Sequence, residues 1–253
     1  MKELDNVKYL NIGEIFDTVF HKKIKQEEIL EYFETGKLIG KKIDNEWHAD
    51  KEAIEDFIKN VYLKEKAYNV GLHKVDLTTI TLNGKILDIG GGGQGIIGQF
   101  KGENVVAIDP NKNELEESPS KDDLKIVMDA RDLKFLDNSF DTTTSFFTLM
   151  YIPREDHITI FKEIYRVLKK EGEFAIWDAI IPNKGNDDRS MFFISLEVNI
   201  GDNKINTGYG VLWNEELNTK YLSNLAGTIG FELIESKEEE NTFNLRFRKK
   251  NLP

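Results

Sequence analysis

The 253-residue sequence contains no cysteine and only four histidines. The absence of cysteine excludes disulfide bonds, iron–sulfur clusters, thiolate zinc sites and cysteine nucleophiles, and it fits a reducing compartment. The histidines are scattered along the chain without the spacing of metal ligands, so we predict no metal site. They are His21, His48, His73 and His157.

Basic residues are fewer than acidic residues. The chain has 34 Lys and Arg residues and 45 Asp and Glu residues, so its formal net charge is -11. Non-specific binding of nucleic acid or anionic membranes needs basic patches, so this balance argues against both partners. No apolar run approaches the roughly 20 residues of a membrane span. The segment MKELDNVKYL lacks the apolar core of a signal peptide. We therefore expect a cytoplasmic protein.

A small first domain is predicted over residues 1–62. Residues 26–36 have apolar side chains at helical spacing and end at a glycine, which is typical of a helix C-terminus. The following residues indicate a β-hairpin with Asp44 and Asn45 in its turn, and Asp50 is a suitable N-cap for another helix. The sequence therefore predicts a helix, a hairpin and a second helix.

This order of elements resembles the small winged-helix unit of excisionase and MerR-type DNA-binding domains. Residues 1–65 nevertheless contain 11 lysines and 15 acidic residues. The helix that would read DNA is itself rich in glutamate, which repels phosphates. A packing or dimerisation role is therefore the preferred interpretation of this domain.

The remainder of the chain has the pattern of an α/β domain. Residues 63–83 are predicted to form a connector that begins as a helix. From residue 84 to 253, short apolar runs alternate with amphipathic helical segments, which indicates a parallel sheet covered on both faces. The predicted strands before residue 181 are KILDIG, VVAID, LKIVMD, FDTTTSFF and EFAIWDAI.

A glycine-rich run, ILDIGGGGQGIIGQ, stands between a predicted strand and a predicted helix. The spacing of Gly90, Gly92 and Gly95 would let the backbone approach a ligand closely. Asp109 ends the next predicted strand, where an acidic residue can accept hydrogen bonds from ribose hydroxyls. These features alone fit either a dinucleotide or S-adenosylmethionine, so an NAD-dependent oxidoreductase remains an alternative at this point.

Five sequence blocks, in order, resemble class I S-adenosylmethionine-dependent methyltransferases of the type 11 kind. ILDIGGGG is similar to the family's first motif, in which an acidic residue precedes the glycines, and VVAIDP is similar to its ribose-binding motif. The later blocks are MDARDLKFLDNSFD, SFDTTTSFFTLMYI and EIYRVLKKEGEFAIWD. Together they extend from about residue 84 to 180.

The resemblance implies a Rossmann-like seven-stranded sheet with strand order 3-2-1-4-5-7-6, the last strand antiparallel. It implies S-adenosylmethionine as cofactor and S-adenosylhomocysteine as product. Asp88 would help to hold the loop and the methionine amino group, and Asp129 would face the adenine amino group. The implied cofactor-binding residues are Asp88, Gly90, Gly92, Gly95, Asp109, Pro110, Asp129, Ala130 and Phe146.

The acceptor side departs from the family pattern. Many small-molecule members have a histidine after the fourth strand, whereas this sequence has Thr-Leu-Met-Tyr, so no general base is assigned. Tyr151 is the substrate-side candidate, and a core or gate aromatic is its alternative role. Asp178 is interpreted as a substrate contact or a surface carboxylate, and His157 as a surface or capping residue in preference to a catalyst.

Residues 181–213 form an insertion that is predicted to contain a β-hairpin. An insertion at this point lies on the ligand side of the sheet, where specificity elements occur. Its substrate-pocket candidates are Arg189, Tyr209 and Trp213. The alternative is a β-arm that joins two copies in a homodimer.

The sequence therefore predicts a methyltransferase that acts on a small molecule, with no nucleic-acid or membrane partner. Two alternatives stay open. One is methylation of RNA or protein. The other is a regulatory protein that senses S-adenosylmethionine and binds its target through the N-terminal domain.

Overall fold

The computed structural model describes residues 2–4, 6–20 and 24–250. His21 lies outside these described residues. The chain divides into two compact units, Met1–Asn69 and Val70–Pro253. Among the described residues, no helix is long and apolar enough to cross a membrane.

The first unit contains a four-stranded antiparallel sheet with strand order β1-β2-β4-β3. Its strands are β1 (Lys2–Leu4), β2 (Val7–Asn11), β3 (Lys41–Ile43) and β4 (Glu46–Asp50). Its helices are α1 (Ile12–Thr18), α2 (Gln26–Glu34), α3 (Lys51–Phe57), a π-helical turn (Ile58–Tyr62) and α4 (Leu63–Lys66). Aromatic packing fills its core, as in the contact of Tyr32 with Phe57 at a centroid distance of 4.7 Å.

Local features of this unit agree with the sequence. Asp44 and Asn45 both have positive φ, 50° and 67°, which is the backbone geometry of a tight hairpin turn between β3 and β4. Asp50 caps α3, because its side chain accepts a hydrogen bond from the Ala53 amide. The winged-helix resemblance of the unit as a whole stays a prediction.

The connector begins as a helix, as predicted, but this helix ends at Lys66. From Ala67 the chain forms strand β5 (Ala67–Asp76), which pairs with a strand far along the sequence. The β-favouring residues Tyr68, Val70 and Val75 are compatible with a strand, and the distant pairing decides the outcome.

The second unit is built on a seven-stranded sheet with strand order β13-β14-β10-β9-β6-β7-β8. The strands are β6 (Ile86–Ile89), β7 (Val105–Asp109), β8 (Leu124–Val127), β9 (Phe140–Phe146), β10 (Leu168–Ala179), β13 (Phe231–Glu239) and β14 (Thr242–Lys249). Strand β14 runs antiparallel to β10, whereas β6 to β10 are parallel where they pair. Read from the opposite edge, this is the predicted order 3-2-1-4-5-7-6.

Helices accompany the sheet and supply apolar packing. They are α5 (Ile96–Lys101), α6 (Lys112–Glu117), α7 (Arg154–Val167) and α8 (Thr219–Ile229). The longest, α7, buries Ile160, Phe161 and Ile164, and Phe161 meets Phe174 of β10 edge to face. These contacts pack α7 against β10.

A three-stranded sheet, with order β12-β11-β5, contains the insertion. Its hairpin consists of β11 (Met191–Ile200) and β12 (Asn203–Leu212), so the predicted hairpin is present. Every second residue of β11, from Phe192 to Ile200, is buried, as expected for a strand with one face against the protein.

Candidate functional site

The glycine loop lies at the carboxyl end of β6 and is held by the neighbouring strand. The amides of Gly90 and Gly91 both donate to the Ile108 carbonyl, at 2.9 and 3.0 Å. Gly90 has a φ of 71°, and a Cβ atom there would collide with the side chain of Thr148. Both the backbone conformation and the close approach therefore require glycine at position 90.

The other two predicted glycines also pack closely. The Gly92 amide donates to the Asp109 carboxylate, and a Cβ atom at Gly92 would lie 2.7 Å from Cβ of Glu114. Gly95 begins α5 with a φ of 54°, and a Cβ atom there would collide with the Ser118 hydroxyl. The glycine loop is therefore packed closely against its neighbours.

Asp88 lies under this loop and is 2% exposed. Thr144 of β9 donates a hydrogen bond to Asp88 Oδ1 at 2.7 Å, and the other oxygen lies beside the Gly91 backbone. Burial raises the pKa of Asp88 to about 7. A buried carboxylate next to a glycine-rich loop suits the cationic ammonium group of an amino acid. The bound ammonium group would favour the ionised form of the carboxylate.

Two more predicted acids follow neighbouring strands. Asp109 ends β7 and accepts a hydrogen bond from the Asn111 amide at 2.8 Å, while its partial burial raises the pKa. Asp129 follows β8 and pairs with Arg131, whose hydrogen bonds lower the pKa of Asp129. Asp109 keeps acceptor capacity beyond its amide partners, as a ribose requires, whereas Arg131 makes four hydrogen bonds to the two oxygens of Asp129.

The remaining predicted cofactor residues flank these acids and the end of β9. Pro110 is exposed and Ala130 is half-buried, directly after Asp109 and Asp129 respectively. Phe146 is buried at the last position of β9, and its ring packs against Phe147 and Trp177 at centroid distances of 5.1 and 6.1 Å. The cofactor-side predictions therefore all fall at the carboxyl ends of β6 to β9.

The turn that carries Tyr151 is anchored by Asp178. A short 3₁₀ segment, Leu149–Tyr151, follows β9, and Met150 donates its amide to Asp178 Oδ2 at 3.3 Å. The amides of Thr148 and Leu149 also bond to this carboxylate. Asp178 is 0% exposed and burial raises its pKa to about 7, so its interpretation as a surface carboxylate is wrong.

His157 fixes the same turn from the other side. It lies inside α7, is 2% exposed, and its Nε2 lies 3.2 Å from the Leu149 carbonyl. Its Nδ1 lies 3.1 Å from the Tyr221 hydroxyl on α8. Burial lowers the pKa of His157, and a neutral ring with its proton on Nε2 satisfies both contacts. The prediction of a surface or capping residue is therefore wrong.

The insertion brings one predicted residue to this turn. The Tyr209 ring stacks on Phe147, with centroids 5.2 Å apart and planes 11° apart, and the Gly210 amide donates to the Tyr151 hydroxyl at 3.1 Å. In contrast, Arg189 pairs with Asp187, and buried Trp213 donates its indole proton to the Pro182 carbonyl at 2.8 Å.

The sequence did not single out Thr144 or Phe147, and it did not predict that Asp178 and His157 hold the turn after β9. The unusual polarity of the strand FDTTTSFF is a usable indication, because Thr144 pairs with buried Asp88, whereas the buried hydroxyls of Thr143 and Ser145 have no hydrogen-bond partner among the described residues. The part of the chain that the structure describes contains no group of three or more His, Asp or Glu side chains that could hold a metal ion.

Known proteins resemble part of this chain. Residues 87–176 match Methyltransf_11, a methyltransferase domain family. The sterol 4-C-methyltransferase strm-1 of Caenorhabditis elegans is 31% identical over 144 residues, which cover 53% of this chain and 42% of that protein. The ubiquinone/menaquinone biosynthesis C-methyltransferase UbiE of Rickettsia typhi is 35% identical over 127 residues, which cover 42% of this chain and 50% of that protein.

The chain therefore spans about half the length, or less, of these curated relatives. Among solved structures, the PH0226 protein of Pyrococcus horikoshii OT3 has a TM-score of 0.51 at 18% identity and covers 69% of this chain and 85% of its own. That likeness agrees with the Rossmann-like architecture of the second unit.

The second unit therefore has a Rossmann-like fold, and residues 87–176 within it are similar to a methyltransferase domain family.

Proposed function

We propose that this protein transfers a methyl group from S-adenosylmethionine to a small-molecule acceptor. One arrangement carries the proposal: Asp88, the glycine loop and Asp109 meet at the carboxyl ends of adjacent central strands, where open α/β sheets bind ligands. The names of the relatives concern sterols and ubiquinone or menaquinone biosynthesis, which favours a small acceptor over a macromolecule. The net charge of -11 points the same way.

We assign separate binding roles to the two acids. The Asp88 carboxylate would pair with the amino group of the methionine moiety, and Asp109 would accept hydrogen bonds from the ribose hydroxyls. The bound cofactor supplies a methyl group that its positive sulfur has already activated. The main task of the chain is then to align the acceptor with that methyl group, and alignment of this kind can lower a barrier by about 7–11 kcal/mol.

Calorimetric titration with S-adenosylmethionine and S-adenosylhomocysteine tests the proposal. We expect wild-type protein to bind both, and Asp109→Ala to weaken binding by about 10- to 100-fold, because the ribose loses hydrogen bonds to a charged group. Methyl transfer from labelled S-adenosylmethionine to a pool of small apolar metabolites provides the activity readout.

The exposed Asp122 offers a matched control, since Asp122→Ala removes a carboxylate of the same unit outside the proposed cofactor site. Its affinity for both ligands should equal that of the wild type. Absence of binding by the wild type at about 1 mM ligand, or equal affinities for Asp109→Ala and the wild type, would rule the proposal out.

A further inference from the structure

The side chain of Tyr209 lies on the inward face of the insertion hairpin. Tyr209 is directly opposite Ile194 in the antiparallel register, and opposite residues share a face of the sheet. Ile194 is fully buried, so Tyr209 also faces the protein. Its neighbour Gly208 faces the other way, where a Cβ atom would lie 2.9 Å from the Phe193 ring.

The hairpin meets the methyltransferase sheet through two specific contacts. The first is the parallel stack of Tyr209 on Phe147. Phe147 immediately follows β9, has a φ of 50° and is held by a 2.7 Å hydrogen bond from its amide to the Trp177 carbonyl. The second is the hydrogen bond from Gly210 to the Tyr151 hydroxyl. Strand β12 therefore lies across the turn that follows β9.

The two phenols share one electrostatic environment. Burial raises the pKa of Tyr209. The nearby Tyr151 hydroxyl and the carboxylates of Asp88 and Asp178 raise it further. Burial also raises the pKa of Tyr151, and the carboxylates of Asp178 and Glu114 add to this effect. The Tyr209 hydroxyl forms a hydrogen bond with the side chain of Thr207 on the same strand and lies within the electrostatic influence of Asp88 and Asp178.

These surroundings define what the phenols can do. Both phenols stay protonated at neutral pH, because burial and the nearby carboxylates disfavour their ionised forms. The Tyr151 oxygen already accepts a hydrogen bond from Gly210, so its own proton is directed elsewhere. An anionic acceptor would be repelled, whereas a flat, uncharged molecule can stack on the rings and accept a hydrogen bond.

We propose that Tyr209 and Tyr151 form one wall of the acceptor pocket and select a flat, uncharged acceptor that has a hydrogen-bond-accepting oxygen. This inference rests on the proposed methyl-transfer function and makes the insertion hairpin its specificity element. Tyr209 would supply the stacking surface, and Tyr151 would orient the acceptor through its hydroxyl proton.

A pair of probes that differ in charge tests this wall. Protein saturated with S-adenosylhomocysteine is titrated at about pH 7 with 2-naphthol, which is neutral, and with 2-naphthoate, which is an anion. We expect 2-naphthol to bind at least about tenfold more tightly. Tyr209→Ala should weaken 2-naphthol binding about tenfold, as expected for the loss of one aromatic stack.

Further variants separate stacking from hydrogen bonding. Tyr209→Phe keeps the ring and should lose less affinity than Tyr209→Ala, and Tyr151→Phe should weaken 2-naphthol binding about fivefold. Two controls should leave it unchanged within about twofold: Leu212→Ala, on the same strand and 46% exposed, and Tyr165→Phe, which removes only a hydrogen bond to the Lys250 carbonyl.

The order of the titrations separates the two proposals. Failure of wild-type protein to bind S-adenosylhomocysteine counts against the proposed function. Normal binding of that ligand, with no preference for 2-naphthol or with no binding of either probe, overturns the acceptor wall alone. So does a Tyr209→Ala variant that loses S-adenosylhomocysteine as severely as 2-naphthol, since Tyr209 would then belong to the cofactor site.

Discussion

Two buried polar side chains, Asp178 and His157, determine the conformation of the turn that follows β9. Asp178 accepts hydrogen bonds from the backbone amides of the turn that carries Tyr151. An N-cap side chain satisfies the first amides of a helix in the same way. On the opposite side of that turn, His157 donates a hydrogen bond to the Leu149 carbonyl and accepts one from the Tyr221 hydroxyl. Neither side chain is placed to touch a cofactor by these contacts, so we regard both as positioning residues.

The raised pKa of Asp178 predicts a pH dependence of stability. Its pKa of about 7 in the folded protein exceeds the value of about 3.9 in an unfolded chain, so the folded state binds more protons between these values. The resulting stabilisation is complete below about pH 4 and is lost as the pH rises through about 7. Asp178→Asn lacks this contribution, so the wild type should lose stability relative to the variant as the pH rises.

Urea unfolding of both proteins at several pH values between about 4 and 8 measures this difference. Asp76→Asn is the control, because hydrogen bonds from Thr78 lower the pKa of exposed Asp76, so its difference from the wild type should not change in this direction. A wild-type advantage over Asp178→Asn that grows with pH would contradict the assignment. The raised pKa of Asp88 also makes stability depend on pH. Because Asp88 is present in both proteins, its contribution cancels when they are compared.

At the scale of elements, the glycine loop joins β6, β7 and the turn after β9. Its conformation depends on close approach as much as on backbone freedom, because Gly90 contacts Thr148 and Gly95 contacts Ser118. These contacts couple the proposed cofactor side of the sheet to the turn that carries Tyr151.

Gly90→Ala should therefore destabilise the protein more than an ordinary glycine substitution at positive φ. Gly185 is the matched control, with a φ of 55° and nothing within 4 Å of an added Cβ atom. Gly185→Ala should cost about 1 kcal/mol in the free energy of unfolding, and Gly90→Ala at least about 2 kcal/mol more. Both values come from denaturant titrations.

A double-mutant cycle identifies the cause of the larger effect. Thr148→Ala removes the two side-chain atoms nearest to the added methyl group, so it should recover part of the loss in the Gly90→Ala background. Equal costs at positions 90 and 185, or additive effects of Gly90→Ala and Thr148→Ala, would show that the contact is not what requires glycine.

Much of the second unit could be predicted from the sequence because its strands and helices have clear local periods. The ordered blocks also located Asp88 and Asp109 correctly at adjacent strand ends. Strand β5 was missed because a partner about 120 residues away decides its structure. The burial of His157 likewise depends on Tyr221 of α8, which no local pattern reveals.

At the scale of the whole molecule, negative charge limits the range of partners. The net charge is -11, and the helix α2 of the first unit carries Glu27, Glu28, Glu31 and Glu34. We expect no gel shift of a short DNA duplex or a structured RNA at about 10 μM protein and about 50 mM salt, because phosphates would meet repulsion. A clear shift that weakens steeply with salt would contradict this expectation and favour a nucleic-acid target.

The hydrogen bond between Gly210 and Tyr151 has a practical consequence. Strand β12 is the edge of its sheet, and amides that face outward from an edge usually exchange with solvent quickly. The Gly210 amide is an exception because a phenol from another part of the unit accepts its proton. The exchange rate of this single proton therefore reports how often β12 separates from the turn that follows β9.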